Sequence, residues 1–343
     1  MEKIKVAVIG CGNVAKGHIN ALNIIDTVEK ILIYDLDTEK VKEIKKYSDK
    51  ILVSESFDDL IKKSDCMIVC TPNNTHLSII EKATLIKDIP ILCEKPLATN
   101  FEDALKIKTI TNNYSAIAFN CRFNPILNYI VKEILKNEEI IFIEIKFIKN
   151  SALVKKEYRW RDDNTQGLSS GSFGDLSSHL IDFIEYISKG KITLENSRLK
   201  FGTRIKAKGN KKVFVDDNSF FFGITDNNIG FNIYSSKSET DANKLEFSLK
   251  IETTNKQIYY STKNNDLIKI KYDNSLDEKN IIFQEKEVIP TPEKEIKYWS
   301  DSFYYQDLTW LKSILNIKSE NLATMEQGTH IQEIITKKIK EKH

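Results

Sequence analysis

The segment Val6-Ala-Val-Ile-Gly10-Cys-Gly12-Asn-Val-Ala15 constrains the fold more than any other stretch of the chain. An apolar run enters two closely spaced glycines and leaves as a helix-like stretch. Gly10 permits a tight turn, Gly12 lets the backbone approach a pyrophosphate, and Ala15 keeps helix and strand close. Asn13 and Val14 open the helix, whose free N–H groups attract an anion placed over the turn. Asp35 ends a second apolar run at about the twenty-residue spacing expected of an acid that accepts hydrogen bonds from an adenosine ribose. A carboxylate there repels a 2′-phosphate, so the expected cofactor is NAD, with NADP less favoured. Asp37 and Lys40 lie close enough to reshape that pocket.

This strand-turn-helix unit begins an alternation that continues to residue 120. Apolar β-rich runs at Ile4–Ile9, Lys30–Tyr34, Cys66–Cys70, Ile89–Cys93 and Ser115–Phe119 are separated by amphipathic stretches, among them 38–47, 75–86 and 101–112. Near-continuous Val/Ile/Leu strands between helices imply a doubly wound parallel sheet covered on both faces, a Rossmann domain over residues 1–122. The pattern then changes. A helix-like stretch reaches Lys136, a long run spans 139–149, and Leu245, Phe247, Leu249 and Ile251 share one face at period two. Residues 123–343 therefore read as an α+β domain with a large, mainly antiparallel sheet, for substrate binding and oligomerisation. Within it, Leu176, Leu180, Phe183, Ile184 and Ile187 form one helical stripe, with Asp175, His179 and Asp182 on its flank. The charged tail Lys337–His343 is expected to fray.

Composition narrows the function. The 343 residues carry 51 basic and 49 acidic side chains, a net charge of +2 that lacks the basic stripe nucleic acid requires. The N-terminus has no signal-peptide h-region and no apolar run is long enough to span a bilayer, so a cytoplasmic protein without membrane partners is expected. Cys11, Cys66, Cys70, Cys93 and Cys121 lie in or beside apolar runs without metal-ligand spacing; they read as buried reduced thiols, and no metal site is expected.

Four further segments make the chain resemble the Gfo/Idh/MocA oxidoreductases: Cys70-Thr-Pro72-Asn73-Asn-Thr-His76, Glu94-Lys95-Pro96-Leu97-Ala98, Asn120-Cys-Arg122-Phe-Asn-Pro125, and Gly171-Ser-Phe-Gly174-Asp175-Leu-Ser-Ser-His179-Leu-Ile-Asp182. The resemblance continues through Val215-Asp216-Asp217 to a closing helix near residues 323–328. It implies that Thr71, Pro72 and Asn73 lie against the dinucleotide with Glu94 and Lys95. His76 is open between a helix cap and a cofactor contact. Lys95, at the C-terminal end of a parallel strand, is implied to enter the active site, and Pro96 makes a cis bond possible there.

His179 follows Asp175 by four residues, so a continuous helix would put both on one face, where a carboxylate can orient an imidazole for proton transfer. The implied chemistry places a sugar hydroxyl against Lys95 and His179. Lys95 stabilises negative charge on the reacting oxygen, and His179, oriented by Asp175, takes the proton while NAD takes the hydride. Arg122, Tyr158, Arg159, Trp160 and Arg161 either bind an anionic group on the substrate or belong to a solvated loop. Ser177 and the sequence Ser170-Gly171-Ser172 depart from the glycine pattern of many relatives, which puts the pocket's shape in doubt. The expected function is an NAD(P)-dependent dehydrogenase or reductase of a sugar, nucleotide sugar or polyol. The alternatives are an NAD-dependent glycosidase with internal hydride cycling and a non-catalytic cofactor-binding regulator. Apolar stripes on the second sheet predict a homodimer or homotetramer.

Overall fold

A computed structural model describes residues 3–341 except 164–169, 241–244, 265, 274–276 and 293–294. Lys244, the start of one expected strand-like run, and His343 in the expected frayed tail lie outside the described residues. The chain forms two units. One comprises Met1–Asn124, Val288–Pro290 and Ser300–Gln332; the other comprises Pro125–Glu287, Thr291–Trp299 and Glu333–His343.

The first unit is built on strands β1 (Ile4–Ile9), β2 (Val28–Tyr34), β3 (Ile51–Val53), β4 (Cys66–Val69), β5 (Ile91–Cys93) and β6 (Ala116–Ile117), with helices α1 (Asn13–Ile24), α2 (Thr38–Lys45), α3 (Phe57–Lys63), α4 (His76–Ile86) and α5 (Phe101–Ile110) between them. The strand order is β6-β5-β4-β1-β2-β3, all parallel, so the order reverses between β1 and β4. Open α/β sheets bind ligands at such a switch point, beyond the carboxyl ends of the strands. Val6, Ala7, Val8 and Ile9 are all buried because helices cover both sheet faces.

β3 and α3 carry no apolar run or periodicity long enough to stand out in the sequence. Both are short, and α3 is held by local signals: Ser56 Oγ accepts the Asp59 N–H at 3.1 Å, acids fill the first turn and lysines the last.

The second unit holds β7 (Ile140–Ile148), β8 (Ile192–Gly202), a small hairpin of β9 (Ala207–Lys208) and β10 (Lys211–Lys212), then β11 (Asn218–Thr225), β12 (Gly230–Ser236), β13 (Glu246–Thr253), β14 (Lys256–Ser261), β15 (Leu267–Tyr272) and β16 (Glu278–Ile282). Its eight-stranded sheet runs β16-β15-β14-β13-β7-β12-β11-β8, antiparallel except between β7 and β12. Alternation decides which side is core. Ile143, Ile145, Phe147, Phe221, Phe231, Ile233, Phe247, Leu249 and Ile251 are buried on one face. The π-helical turn Phe173–Ser177 and the following helix, Ser178–Ser188, pack on that face, with the Phe173 and Phe221 rings edge-on at 5.2 Å.

The helix Trp299–Ile314 then carries the chain back into the first unit, and Ala323–Thr324 pairs antiparallel with β6 at the sheet edge. Trp310 is fully buried in the first unit's core, its indole N–H donating to the Tyr114 carbonyl at 2.9 Å. An uninterrupted second domain from residue 123 misses this return. The expected fraying of the tail is also corrected: helix Met325–Lys340 extends to its last turn, where buried Lys338 Nζ donates to the carbonyls of Leu194 at 2.6 Å and Ser197 at 3.0 Å. The same ammonium pairs with the Glu341 carboxylate at 3.0 Å, which uses the third donor of Lys338.

Candidate active site

Gly10 has φ +90°, a conformation that L side chains rarely adopt, and a Cβ there would sit 2.9 Å from the Cys70 carbonyl carbon. Gly12 caps α1 in extended conformation without a side-chain acceptor, and a Cβ on it would meet nothing within 4 Å. Gly12 thus offers the first N–H groups of α1 no side-chain acceptor and leaves room above the turn, the arrangement a pyrophosphate needs. Asn13 and Val14 form the first turn over that space.

Asp35 is anchored to this turn. One of its oxygens accepts the Cys11 N–H at 2.7 Å and the other accepts the Asp37 N–H at 2.9 Å. The carboxylate is thus oriented before any ribose arrives, and these residues fit NAD. Asp37 caps α2 through the Glu39 and Lys40 N–H groups and pairs with Lys40 Nζ at 3.0 Å. An exposed pair contributes little, so the anchored Asp35 sets the electrostatics at this edge. Burial, then the Asp35 charge, pushes the Cys11 thiol up to about 12, which keeps it protonated.

Beyond β4, Thr71 and Pro72 lead into the 3₁₀ turn Asn73–Thr75, and Asn73 Nδ2 donates to the Ala98 carbonyl at 3.1 Å. His76 is buried: Nδ1 lies 3.1 Å from the Leu97 carbonyl and Nε2 2.9 Å from that of Thr71. It is thus neither a simple cap nor a group turned to solvent, but a bridge between the Thr71 loop and the loop after β5. Burial, partly opposed by those carbonyls, lowers its pKa, and a neutral ring donates to only one of the two carbonyls; Cys93 Sγ also lies 3.3 Å from Nδ1. The Lys95–Pro96 bond is cis, and Lys95 is half-buried.

Glu94 is buried and its Oε2 accepts the Lys95 backbone N–H at 3.1 Å. Its Oε1 lies 3.2 Å from Nε2 of His18, a residue to which sequence reasoning gave no role. The available signal was a histidine in the otherwise apolar stripe Ala15, Ile19, Leu22 of α1. Arg122 is enclosed in this unit, with Nη1 directed at the Asn321 carbonyl at 3.4 Å.

In the second unit, Asp175 sits in the π turn and His179 in the helix that follows. A π turn closes i→i+5 bonds, so the backbone around Asp175 is not that of a continuous α-helix. The Asp175 carboxylate meets two cations at Oδ2: Lys237 Nζ at 2.8 Å and Arg161 Nη1 at 3.5 Å. Lys237, absent from the expected site, also donates to the Ser170 carbonyl at 2.8 Å. Burial lowers its pKa while Asp175 opposes that fall. His179 is buried with its ring edge-on to Trp299, centroids 6.0 Å apart. Asp182 is fully buried.

Arg159 donates its backbone N–H to Asp162 at 2.9 Å, and Lys208 Nζ pairs with the same carboxylate at 2.8 Å. Arg161 lies 4.7 Å from the Trp160 ring centroid, a cation–π contact at a half-exposed site. Partial burial, then the like charges of Arg159, Arg161 and Lys208, lowers the Lys155 pKa, while Asp175 opposes that fall.

The two departures from the glycine pattern have local explanations. Ser177 turns toward the sheet, where its hydroxyl is 2.8 Å from Ser235 Oγ. A Cβ on Gly171 would lie 1.9 Å from Asp216 Oδ1, and Asp216 accepts both the Ser172 hydroxyl and the Phe173 N–H. Among the described residues, no group of three or more His, Cys, Asp or Glu could hold a metal, and no helix is long and apolar enough to cross a membrane.

Comparison with known proteins extends these observations over the whole chain. The family model described as Oxidoreductase family, NAD-binding Rossmann fold, matches residues 4–120, and its C-terminal alpha/beta domain matches 132–341. A glucose-6-phosphate 3-dehydrogenase of Bacillus subtilis is 32% identical over 339 residues, 96% of this chain and 94% of the relative. An inositol 2-dehydrogenase of Paenarthrobacter aurescens is 26% identical over 217 residues, 61% of each chain. Among solved structures, a levoglucosan dehydrogenase in complex with NADH superposes with a TM-score of 0.83 at 17% identity, covering 99% of this chain and 98% of its own.

Proposed function

The chain belongs to the Gfo/Idh/MocA oxidoreductase family, and from that premise we propose that it is an NAD-dependent dehydrogenase acting on a secondary hydroxyl of a hexose or hexose phosphate. The observation that carries this reading is the full-length 32% identity to a glucose-6-phosphate 3-dehydrogenase. The gathering of Lys155, Arg159 and Arg161 in one segment suits an anionic substituent on the sugar. Bound NAD would supply the hydride acceptor.

Lys95 is assigned the reacting oxygen, whose developing charge an ammonium stabilises. His179 is assigned the proton, since a neutral imidazole accepts one near neutral pH. Asp175 is assigned a positioning role, and its two cations hold it in place. Gly10, Gly12, Asn13, Val14 and Asp35 are assigned to the dinucleotide, with Thr71, Pro72, Asn73 and Glu94 along its nicotinamide end. His76 acts behind them, holding the two loops together. Arg159, Trp160 and Arg161 are proposed for the substrate, whereas the enclosure of Arg122 favours a structural role. A cytoplasmic setting, where NAD is available and thiols stay reduced, suits the five free cysteines. The outer face of the second sheet, with exposed Phe220, Phe222 and Ile224, is proposed as a homo-oligomer interface.

The test is absorbance at 340 nm with NAD or NADP and D-glucose 6-phosphate, D-glucose, myo-inositol and a nucleotide sugar in turn. A rise with NAD and glucose 6-phosphate supports the reading. NADH binding without net reduction by any of these would shift it to internal hydride cycling or cofactor sensing.

A further inference from the structure

His18 lies wholly inside the first unit and touches two carboxylates. Its Nδ1 is 2.9 Å from both oxygens of Asp307, and its Nε2 is 3.2 Å from Glu94 Oε1. The Phe303 ring closes the third side, edge-on at 4.9 Å. A neutral imidazole has one N–H and one lone pair, so it would set that lone pair against an anion at one of these contacts. A doubly protonated ring donates at both nitrogens. It also leaves one positive charge against two negative ones, where a neutral ring leaves two buried anions uncompensated. The other titratable groups nearby, Cys66 and Cys70, are thiols that burial keeps protonated, so they supply no further charge.

We propose that His18 is an imidazolium at neutral pH and the positioning residue for Lys95: it clamps Glu94, whose second oxygen holds the Lys95 backbone N–H, and ties that turn to the cofactor helix α1 and, through Asp307, to the returning helix Trp299–Ile314. The clamp joins the element that carries the dinucleotide's phosphate site to the residue assigned to the reacting oxygen. Coupling of this kind sets geometry, and a misplacement of about 1 Å costs roughly 100-fold in rate. The inference rests on the reading of Lys95 as an active-site residue.

The first measurement is the 15N spectrum of histidine-labelled full-length protein, with His18 identified by its loss in His18→Gln. Both ring nitrogens are expected to show protonated shifts throughout pH 6 to 9; a neutral tautomer at pH 7 overturns the proposal. The second is competitive acetylation of lysines by acetic anhydride, read by mass spectrometry with NADH bound. In His18→Gln the Lys95 labelling rate is expected to change by about 5-fold or more while distant lysines keep theirs. A global loosening would move many lysines together, and unchanged Lys95 labelling overturns the positioning role.

Should His18→Gln fail to fold, Asp307→Asn, which keeps the ring and Glu94, faces the same two outcomes. Turnover of D-glucose 6-phosphate with NAD judges the functional reading separately. Wild-type protein without turnover sinks that reading, and the labelling result still decides the clamp.

Discussion

Lys237 places its ammonium 2.8 Å from Asp175 Oδ2 inside the second unit, where both side chains are largely buried. Asp175 is thus held by a cation from β-strand-side sequence sixty residues away, not only by its own helix. Removing one partner of a buried pair leaves the other uncompensated, at a cost of about 3 kcal/mol. Lys237→Met is therefore expected to lower stability by that order in urea unfolding, and Lys237→Met with Asp175→Asn to recover part of the loss. Equal stability of the single variant and wild type would show that Arg161 alone suffices.

The anchoring of Asp35 by the Cys11 and Asp37 N–H groups makes cofactor preference a property of the turn itself. Asp35→Ala removes the ribose acceptor and the repulsion of a 2′-phosphate together. NADH affinity is expected to fall roughly 30-fold, about 2 kcal/mol, while NADPH affinity falls less or rises. Fluorescence titration with both nucleotides reads this directly, and an unchanged NADH-to-NADPH ratio would contradict it.

Two glycines should respond in opposite ways. A Cβ on Gly12 meets nothing within 4 Å, so Gly12→Ala should fold normally and lose NADH affinity by roughly 10-fold or more, the methyl taking the pyrophosphate's place. A Cβ on Gly171 lies 1.9 Å from the buried carboxylate of Asp216, so Gly171→Ala must displace the acceptor that holds Ser172 and Phe173. It should cost about 2 kcal/mol of stability, chiefly through unsatisfied buried polar groups, and leave NADH binding nearly intact. Thermal unfolding and NADH titration on the pair separate the two effects.

These residues also mark where the sequence was legible. Gly10, Gly12 and Asp35 could be read because strand, turn, helix and acid follow one another locally, and the apolar runs announced a covered sheet. β3 and α3 were too short for a periodicity signal. The return of residues 300–332 to the first unit depends on long-range pairing with β6, which no local pattern encodes. The motif singled out Asp175 and His179, but the π turn that contains Asp175 was invisible, since four-residue spacing presumes α geometry. His18 and Lys237 were missed because their partners lie far along the chain. Each then looked like an ordinary side chain.

The buried histidines give stability a plateau in pH. Burial alone would lower the His18 pKa, but Asp307 and Glu94 outweigh it and hold it up at about 10, well above the ordinary imidazole. Its contribution is complete below about 6.5 and is lost as pH rises toward 10. His76 has the opposite sign: its folded pKa is depressed, chiefly by burial, so its contribution is complete above 6.5 and is lost as pH falls through the folded value. Urea midpoints across pH 5 to 10 should fall at both ends. In His18→Gln the alkaline decline should flatten, and an unaltered alkaline limb would assign it to other groups.

The last expectation concerns the outer face of the second sheet. Ladder register sets Phe222, Asn232, Glu144, Lys250 and Tyr259 side by side across five strands on the face opposite the helices. Phe220, Phe222 and Ile224 project from β11, and the Phe220 ring stacks on Tyr234 at 4.5 Å. Apolar rings at one end of the row and charges in its middle suit a face that closes on a second copy, since a twofold axis can bring Glu144 of one chain near Lys250 of the other. Light scattering at micromolar concentration is expected to give a dimer or tetramer. Phe222→Asp sets a charge among the rings and should shift the protein toward monomer by roughly 100-fold or more in dissociation constant, about 3 kcal/mol, with little change in its fold by circular dichroism. A monomeric wild type would leave these rings as ordinary exposed side chains.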